Sequence, residues 1–213
     1  MLIPLVLAAC VYHQPPTHET PFPEAALVKI IPILEGQEAK RSWFSKLVLN
    51  PPKGTIVGRP KTSSFCTPQP ERKWGTGSQV YKEDDVRTAF NDVLQRGNYP
   101  VVGKVESPFE DLSGAELILA GLVKEIKADI CNEETSGFLV PTQLVAQTDL
   151  SLKVNWQVFS RVEGKVIYET ATDGKYSGRG NFRTCVIAAF ANATERLLAD
   201  RDFFELVVTP KKG

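Results

Sequence analysis

Residues 148–159 alternate between polar and apolar side chains with almost no interruption. A period of two over that length is typical of a β-strand that has one buried face and one solvent-facing side. Trp156 lies on the apolar side, so we expect it in the core rather than as a platform for a ligand. The apolar side is formed by Leu150, Leu152, Val154, Trp156 and Val158.

Two more extended segments flank this strand. Residues 161–164 form a short polar connection that ends in Gly164, which predicts a hairpin to a second strand at residues 165–176. An apolar run at residues 116–130 precedes the pair. Three antiparallel strands in a row leave an apolar face that helices must cover.

Two segments have the spacing of amphipathic helices that could cover the apolar face of this sheet. Residues 83–96 and 184–198 place apolar side chains at every third or fourth position. Short strands are predicted at residues 99–102 and 203–208. The expected fold class is therefore α+β, with a mixed, mostly antiparallel sheet of about five strands and two helices packed on one face.

The pattern is weaker in the first third of the chain. Residues 25–34 are apolar and β-branched and predict a strand, which Pro32 confines to an edge or an end. Residues 51–54, Pro-Pro-Lys-Gly, predict a hairpin turn between two short apolar pieces. We divide the chain into a signal remnant at residues 1–9, a Pro-rich tether at residues 10–24 and one globular periplasmic domain at residues 25–210.

The amino-terminal apolar run is too short to span a bilayer, and it ends in Leu7-Ala8-Ala9-Cys10. This tetrapeptide resembles the lipobox of bacterial lipoproteins, in which the Cys is diacylated, with chains such as palmitate, after the signal peptide is cleaved. Val11 rather than Asp follows, which in Gram-negative lipoproteins implies sorting to the outer membrane. We therefore expect Cys10 to anchor the protein at the periplasmic face of the outer membrane, as its only membrane contact. The alternative is a buried apolar terminus with a chance Cys.

The charge and the histidine content restrict the kinds of binding and catalytic site that the sequence supports. Lys plus Arg and Asp plus Glu number 25 each, so the formal net charge is zero and no overall basic field exists to hold nucleic acid. Both histidines, His13 and His18, lie in the tether, where solvated side chains are a better interpretation than a metal site. The domain then has no His for a Ser-His-Asp or Cys-His centre or for a His-ligated zinc. We expect no catalytic residue, no cofactor and no metal, and so no enzyme.

The remaining cysteines are Cys66, Cys131 and Cys185. Disulfides persist in exported proteins, and three thiols allow one bridge and one leftover. We predict a Cys131–Cys185 disulfide, because the hairpin brings the chain back to the same end of the sheet before the second helix starts. Cys66 is the competitor for either partner.

A segment between the first two long strands, residues 132–147, is predicted to be a loop. It carries an apolar run, although loops are usually polar and lie on the surface. Either the loop folds back over the end of the sheet, or it docks on another protein by adding along a sheet edge. The candidate contact residues are Phe138, Leu139, Val140 and Leu144.

The order of elements resembles that of a known class of periplasmic domains. The resemblance is carried by the first helix with its exit at residues 97–102, by residues 115–121 (Ala-Glu-Leu-Ile-Leu-Ala-Gly), by the alternating strand, by residues 164–169 and by the Ala-rich helix from Thr184. It is similar to the TolB amino-terminal and CsgG/LpoB-like class, and to an amino-terminal domain of some exported trypsin-like peptidases. The resemblance covers roughly residues 80–208 and implies an envelope protein that acts by binding other proteins.

We therefore predict a lipid-anchored periplasmic interaction or assembly module of a cell-envelope complex, such as secretion, pilus, transport or cell-wall machinery. Its expected partners are other envelope proteins or further copies of itself, and not nucleic acid. The alternative is an accessory or regulatory subunit of an envelope hydrolase or peptidase.

Overall fold

The computed structural model describes residues 28–62, 67–75, 81–103, 114–137 and 140–210, with only the backbone described at residues 62, 132–137, 140–146 and 210. In this part of the chain there are nine strands and three helices. The strands are β1 Gln37–Ala39, β2 Ser42–Leu49, β3 Ile56–Thr62, β4 Thr67–Pro68, β5 Arg72–Lys73, β6 Leu117–Gly137, β7 Val140–Ser160, β8 Lys165–Arg179 and β9 Val208–Pro210; the helices are α1 Glu83–Arg96, α2 Phe182–Leu198 and α3 Arg201–Val207.

The three long strands β6, β7 and β8 form the antiparallel centre of the main sheet. On the other side of β6, β2 and β3 both run parallel to it, one after the other along the same edge. The predicted hairpin turn at residues 51–54 is therefore wrong, because β2 and β3 each pair with β6. Non-local parallel pairing leaves no trace in the pattern of a short segment.

The α+β class and the mixed sheet are confirmed, but the strand count is larger than expected. The main sheet has seven strands, and β1 and β9 form a separate antiparallel pair. The predicted strand at residues 203–208 is wrong, because the chain forms α3 there before the short β9. Asp200 caps α3 by accepting hydrogen bonds from the backbone N–H groups of Asp202 and Phe203. Residues 28–34, expected as a strand, have no strand structure.

Helices α1 and α2 pack on one face of the sheet, as predicted. Phe44 of β2 stacks on Phe90 of α1 with ring centroids 4.6 Å apart, and it lies 5.5 Å from the ring of Phe190 of α2. Trp156 of β7 completes this aromatic cluster, 5.6 Å from Phe190, and is 1% exposed. The prediction that Trp156 belongs to the core is confirmed.

Two consecutive hydrogen bonds inside the core link the sheet to α2. The indole Nε1 of Trp156 donates to the hydroxyl of Thr172 at 2.7 Å, and that hydroxyl donates to the carbonyl of Ala193 at 2.8 Å. Two residues after Thr172, β8 has Gly174, where an added Cβ would lie 2.0 Å from the carbonyl oxygen of Ala189. A glycine at this position lets the helix backbone rest directly on the strand.

The elements define two ends of the domain. At one end lie the start of β2, the turn between β7 and β8, and the last turns of α1 and α2. The chain enters the described structure at this end, where Ile31 N–H donates to the Leu198 carbonyl and Ile33 N–H to the Gly97 carbonyl. We call it the entry end. The opposite end holds the start of α2 and the far halves of β6 and β7.

Candidate functional site

The paired strands β6 and β7 continue past the rest of the sheet. The pairing of β3 with β6 ends at Asn132, and the pairing of β8 with β7 begins at Gln147. Beyond these positions β6 and β7 still pair with each other, from Glu133 opposite Val145 to Gly137 opposite Val140. We call residues 133–137 and 140–145 the β6–β7 arm. The loop predicted at residues 132–147 is wrong, because most of it continues the two strands.

The β6–β7 arm is a two-stranded ribbon that no other strand flanks within the described residues. At about 3.3 Å for each residue it extends roughly 15 Å beyond the main sheet. Among the described residues neither edge pairs with a third strand, and backbone N–H and C=O groups along an open edge are templates for pairing with another chain. An isolated two-stranded ribbon is marginally stable in water. Chemically, the arm offers addition of a strand along either edge.

Two of the four predicted contact residues lie on the backbone of the arm. Val140 pairs with Gly137 near its tip, and Leu144 pairs with Glu134 near its middle. Phe138 and Leu139 lie outside the described residues. The role of all four as partner contacts stays a prediction, and the structure places Val140 and Leu144 on paired strands instead of in a loop.

The predicted Cys131–Cys185 disulfide is wrong. Cys185 is a free, fully buried thiol in the first turn of α2. Cys131 of β6 is disulfide-bonded, and its partner is a cysteine outside the described residues. The two cysteines do lie toward the same end of the sheet, because Cys131 pairs with Gln147 and the β8–α2 connection returns there.

A bulge in β6 places Cys131 on the wrong face for this bond. Up to Val123 the odd-numbered residues of β6 face the helices, and the register then shifts between Val123 and Glu125. After the bulge, even-numbered residues such as Ile126 and Ile130 are buried under the helices. Cys131 therefore projects to the opposite face from α2. One extra residue in a strand reverses every later side chain.

The thiol of Cys185 is not placed for nucleophilic chemistry. Burial in the core raises its pKa, an effect that the neighbouring Thr148 hydroxyl partly offsets. A reactive thiol needs the reverse, an exposed and electropositive setting that lowers the pKa. Cys185 is thus a small apolar core residue.

The face of the main sheet away from the helices is largely polar near the arm. Lys61 pairs with Asp129 at 2.9 Å, and Asp149, directly opposite Asp129, accepts a hydrogen bond from the Ser177 hydroxyl. The carboxylates of Asp129 and Asp149 border a hollow of about 400 Å³. Among the described residues, no three His, Cys, Asp or Glu side chains come together to hold a metal ion. None of the helices described has the length and apolarity that crossing a bilayer requires.

The expected lipidation site, Cys10, and the predicted signal remnant and tether lie outside the described residues. The first described residue, Val28, is at the entry end, on the side of the domain away from the β6–β7 arm. An anchor attached through residues before Val28 therefore joins the domain at the end opposite the arm.

No protein-family model and no curated protein matches the chain. A DUF330-family protein from Xanthomonas campestris aligns over 84% of this chain and 91% of its own, at 11% identity and a TM-score of 0.41. The PelC dodecamer from Paraburkholderia phytofirmans aligns over 80% and 93%, at 13% identity and a TM-score of 0.34.

A minor lipoprotein from Acinetobacter baumannii aligns over 79% of this chain and 96% of its own, at 12% identity and a TM-score of 0.33. Similarities at these TM-scores assign neither a family nor a function. The resemblance to TolB amino-terminal and CsgG/LpoB-like domains therefore stays a prediction from the sequence.

Proposed function

We propose that the protein is a lipid-anchored periplasmic module that acts by binding other envelope proteins through the β6–β7 arm. The observation that carries the proposal is the arm itself, a ribbon in which Glu133 to Gly137 lie beside β7 and beside no other strand of the described structure. A projecting ribbon with two open edges is suited to strand addition, in which backbone hydrogen bonds supply affinity and alternate side chains supply specificity.

The energetic cost of an unsupported ribbon favours a binding role. Two strands without a third strand or a covering helix gain little from burial, so the ribbon is marginal by itself. A partner strand along either edge would satisfy its open N–H and C=O groups and bury its apolar positions. A second copy of this chain and a different envelope protein are both able to supply that strand.

The expectation that the protein is not an enzyme is part of this proposal. The described thiol, Cys185, is buried with a raised pKa. Binding and enzyme regulation differ only in the identity of the partner. If the arm recovers a hydrolase or peptidase whose turnover changes on binding, the regulatory-subunit alternative replaces the assembly role.

The test is a shortened arm. Residues 134–144 are replaced by Asn-Gly, which joins Glu133 to Val145 through a tight turn and keeps the register of the main sheet. We expect an unchanged melting temperature, because the aromatic core lies elsewhere, and loss of the proteins recovered with the full chain from detergent-solubilised envelopes. Full recovery with the shortened arm would contradict the proposal.

A finer variant separates folding from binding at the tip. Replacing Phe138 and Leu139 by Ser is expected to leave melting unchanged and to lower recovery of the complex. A matched double replacement on the main sheet, Val48→Ser with Ile56→Ser, alters two exposed apolar residues outside the arm and controls for lost apolar surface. Reduced melting of the tip variant would favour the alternative in which this segment covers the domain.

The lipid anchor is tested separately. The gene with its complete amino-terminal signal is expressed, and envelopes are fractionated for wild type and Cys10→Ala. Two or more acyl chains give stable anchoring, so wild type is expected to stay in the outer-membrane fraction through a high-salt wash that releases Cys10→Ala into the soluble fraction. Soluble wild-type protein would refute lipidation and leave the arm proposal untouched.

A further inference from the structure

An apolar strip crosses the sheet at the entry end, on the face opposite the helices. Trp43 of β2 pairs with Ile118 of β6, Ile118 with Phe159 of β7, and Phe159 with Val166 of β8. Residues opposite one another in a sheet project from the same face. The four side chains are therefore neighbours in one row, and their sequence neighbours Phe44, Leu117, Leu119 and Val158 fill the core on the other face.

The strip continues onto the turn between β7 and β8. Val162, at the tip of this turn, is 86% exposed, and Val166 is 42% exposed. Trp43, Ile118 and Phe159 are half-buried. Val162 lies outside the core, so its side chain is available for contact with another surface, and only together with the adjoining row does it form a patch. We call Trp43, Ile118, Phe159, Val162 and Val166 together the apolar strip.

Cationic side chains border the apolar strip. Arg161 and Lys165 flank Val162 in the same turn, and Lys46 lies in the next row of the sheet. Lys165 reaches Glu163 at 3.2 Å, an exposed pair of little energetic weight, and Arg161 donates to the Ala115 carbonyl at 3.5 Å. Long cationic side chains beside apolar residues and a tryptophan are typical of segments that lie at a membrane interface.

We propose that the apolar strip docks on the surface of a phospholipid bilayer, with the Val162 turn entering the headgroup region. This contact is additional to the predicted lipid anchor and does not depend on it. The strip lies at the end of the domain where the described chain begins, so a domain anchored through Cys10 is able to bring this end to its membrane. The β6–β7 arm then points away from the bilayer toward periplasmic partners.

The shape of the strip favours a bilayer over a second protein. The next row of the sheet is Lys46, Ala120, Gln157 and Glu169, which is polar except for Ala120. The apolar surface is thus one row wide with a protruding tip. A stable protein interface buries about 800 Å² on each partner, and a single row cannot supply an apolar centre of that size. Shallow insertion of a tip and one row matches a planar boundary.

The first test is flotation of the full chain with Cys10→Ala, so that no acyl chain contributes. The vesicles contain phosphatidylethanolamine and phosphatidylglycerol at roughly three to one, with anionic lipid to attract the bordering cations. We expect the protein to float with the vesicles and Val162→Glu to weaken partitioning by about tenfold, from loss of one buried valine. The matched control is Ile56→Glu, since Ile56 is 37% exposed on another part of the sheet; it is expected to float like the parent chain.

A second measurement reports the position of the strip directly. The chain has tryptophans at positions 43, 74 and 156, and Trp156 is buried. In a Trp74→Phe, Cys10→Ala background, vesicles are expected to shift the emission to the blue and to allow quenching by lipids brominated near the headgroup. Trp43→Phe is expected to abolish both changes, with melting unchanged.

Several results would overturn the proposal. The parent chain failing to float, flotation unaffected by Val162→Glu, or equal effects of Val162→Glu and Ile56→Glu each exclude the strip as the membrane contact. Sedimentation showing a dimer that Val162→Glu dissociates would assign the strip to a second copy instead. None of these outcomes bears on recovery of partners by the β6–β7 arm, so the two proposals fail independently.

Discussion

Helix α2 lies so close to β8 that a single methyl group is expected to displace it. In Gly174→Ala the new Cβ would lie 2.0 Å from the carbonyl oxygen of Ala189 and 3.0 Å from the Cβ of Ala193. Both obstacles belong to the helix, and the first is backbone that no rotamer change can remove. Restoring an ordinary contact requires the helix to move by more than about 1 Å.

The cost can be worked from the groups that such a movement disturbs. Overpacking of a close-packed core costs typically 1–3 kcal/mol. The hydrogen bond from Thr172 to the Ala193 carbonyl, which supports the indole of Trp156, would lengthen at a cost of about 1 kcal/mol. A total of roughly 2–4 kcal/mol is a large part of a typical stability of 5–15 kcal/mol. The melting temperature should fall by roughly 5–15 °C for a domain of this size.

The matched control is Gly58→Ala in β3. A Cβ at Gly58 would meet only the side chain of Arg72, at an ordinary contact distance of 3.5 Å. Its expected effect on melting is within about 1 kcal/mol of zero, because reduced entropy of the unfolded chain offsets small packing changes. Both variants are followed by thermal unfolding and near-ultraviolet circular dichroism. Equal melting temperatures for the two variants would refute the helix–strand contact at Gly174.

Three further results are expected. Trp156→Ala should cost roughly 3–5 kcal/mol, measured by urea unfolding, because it removes the centre of the aromatic cluster; an unchanged midpoint would mean that the strand faces are misassigned. Cys185 should resist iodoacetamide until the protein unfolds. Because burial raises the pKa of its thiol, the thiol's contribution to the free energy of unfolding is complete at neutral pH and declines as the pH rises past the range where an exposed thiol ionises. Cys185→Ser should reduce this decline. Non-reducing peptide mapping should link Cys131 to Cys66, since Thr62 pairs with both Asn132 and Thr67; a Cys131 peptide linked to Cys10 would exclude this pairing.

Local patterns in the sequence predicted the centre of the fold well. The alternation over residues 148–159 identified β7 and placed Trp156 in the core, where it is 1% exposed. Helical spacing identified α1 and α2. These elements succeed because each buries one continuous face against the same core, and burial of one face fixes the period of its sequence.

Features that depend on distant partners were not predictable from the same patterns. The sequences of β2 and β3 predicted a hairpin because they flank a turn, yet both strands pair with β6. The polar run Asn132–Gly137 read as a loop because it lacks alternation, and its strand structure depends on pairing with β7. Pairing between two strands does not by itself impose a period on their side chains, so this ribbon has a poor sequence signal.

The disulfide error shows how much a single residue can change. Strand length and direction place Cys131 and Cys185 near the same end of the sheet, but the face depends on the bulge after Val123. The signal was present in the spacing, because Val123 and Ile126 are three apart with Lys124 and Glu125 between them. Two adjacent charged residues inside an alternating strand indicate such a shift of register.

The most direct test of the binding role is site-specific photo-crosslinking in living cells. A photoreactive amino acid is placed at Leu144 of the β6–β7 arm and, as a control, at Glu169, an exposed position on β8. The arm position is expected to give a discrete crosslinked product, either with an envelope protein or with a second copy of this chain, and the control position is expected to give none of that product. Absence of any product at Leu144 and at the neighbouring position Thr142, with the variants correctly folded and located, would contradict the proposal that the arm binds a protein.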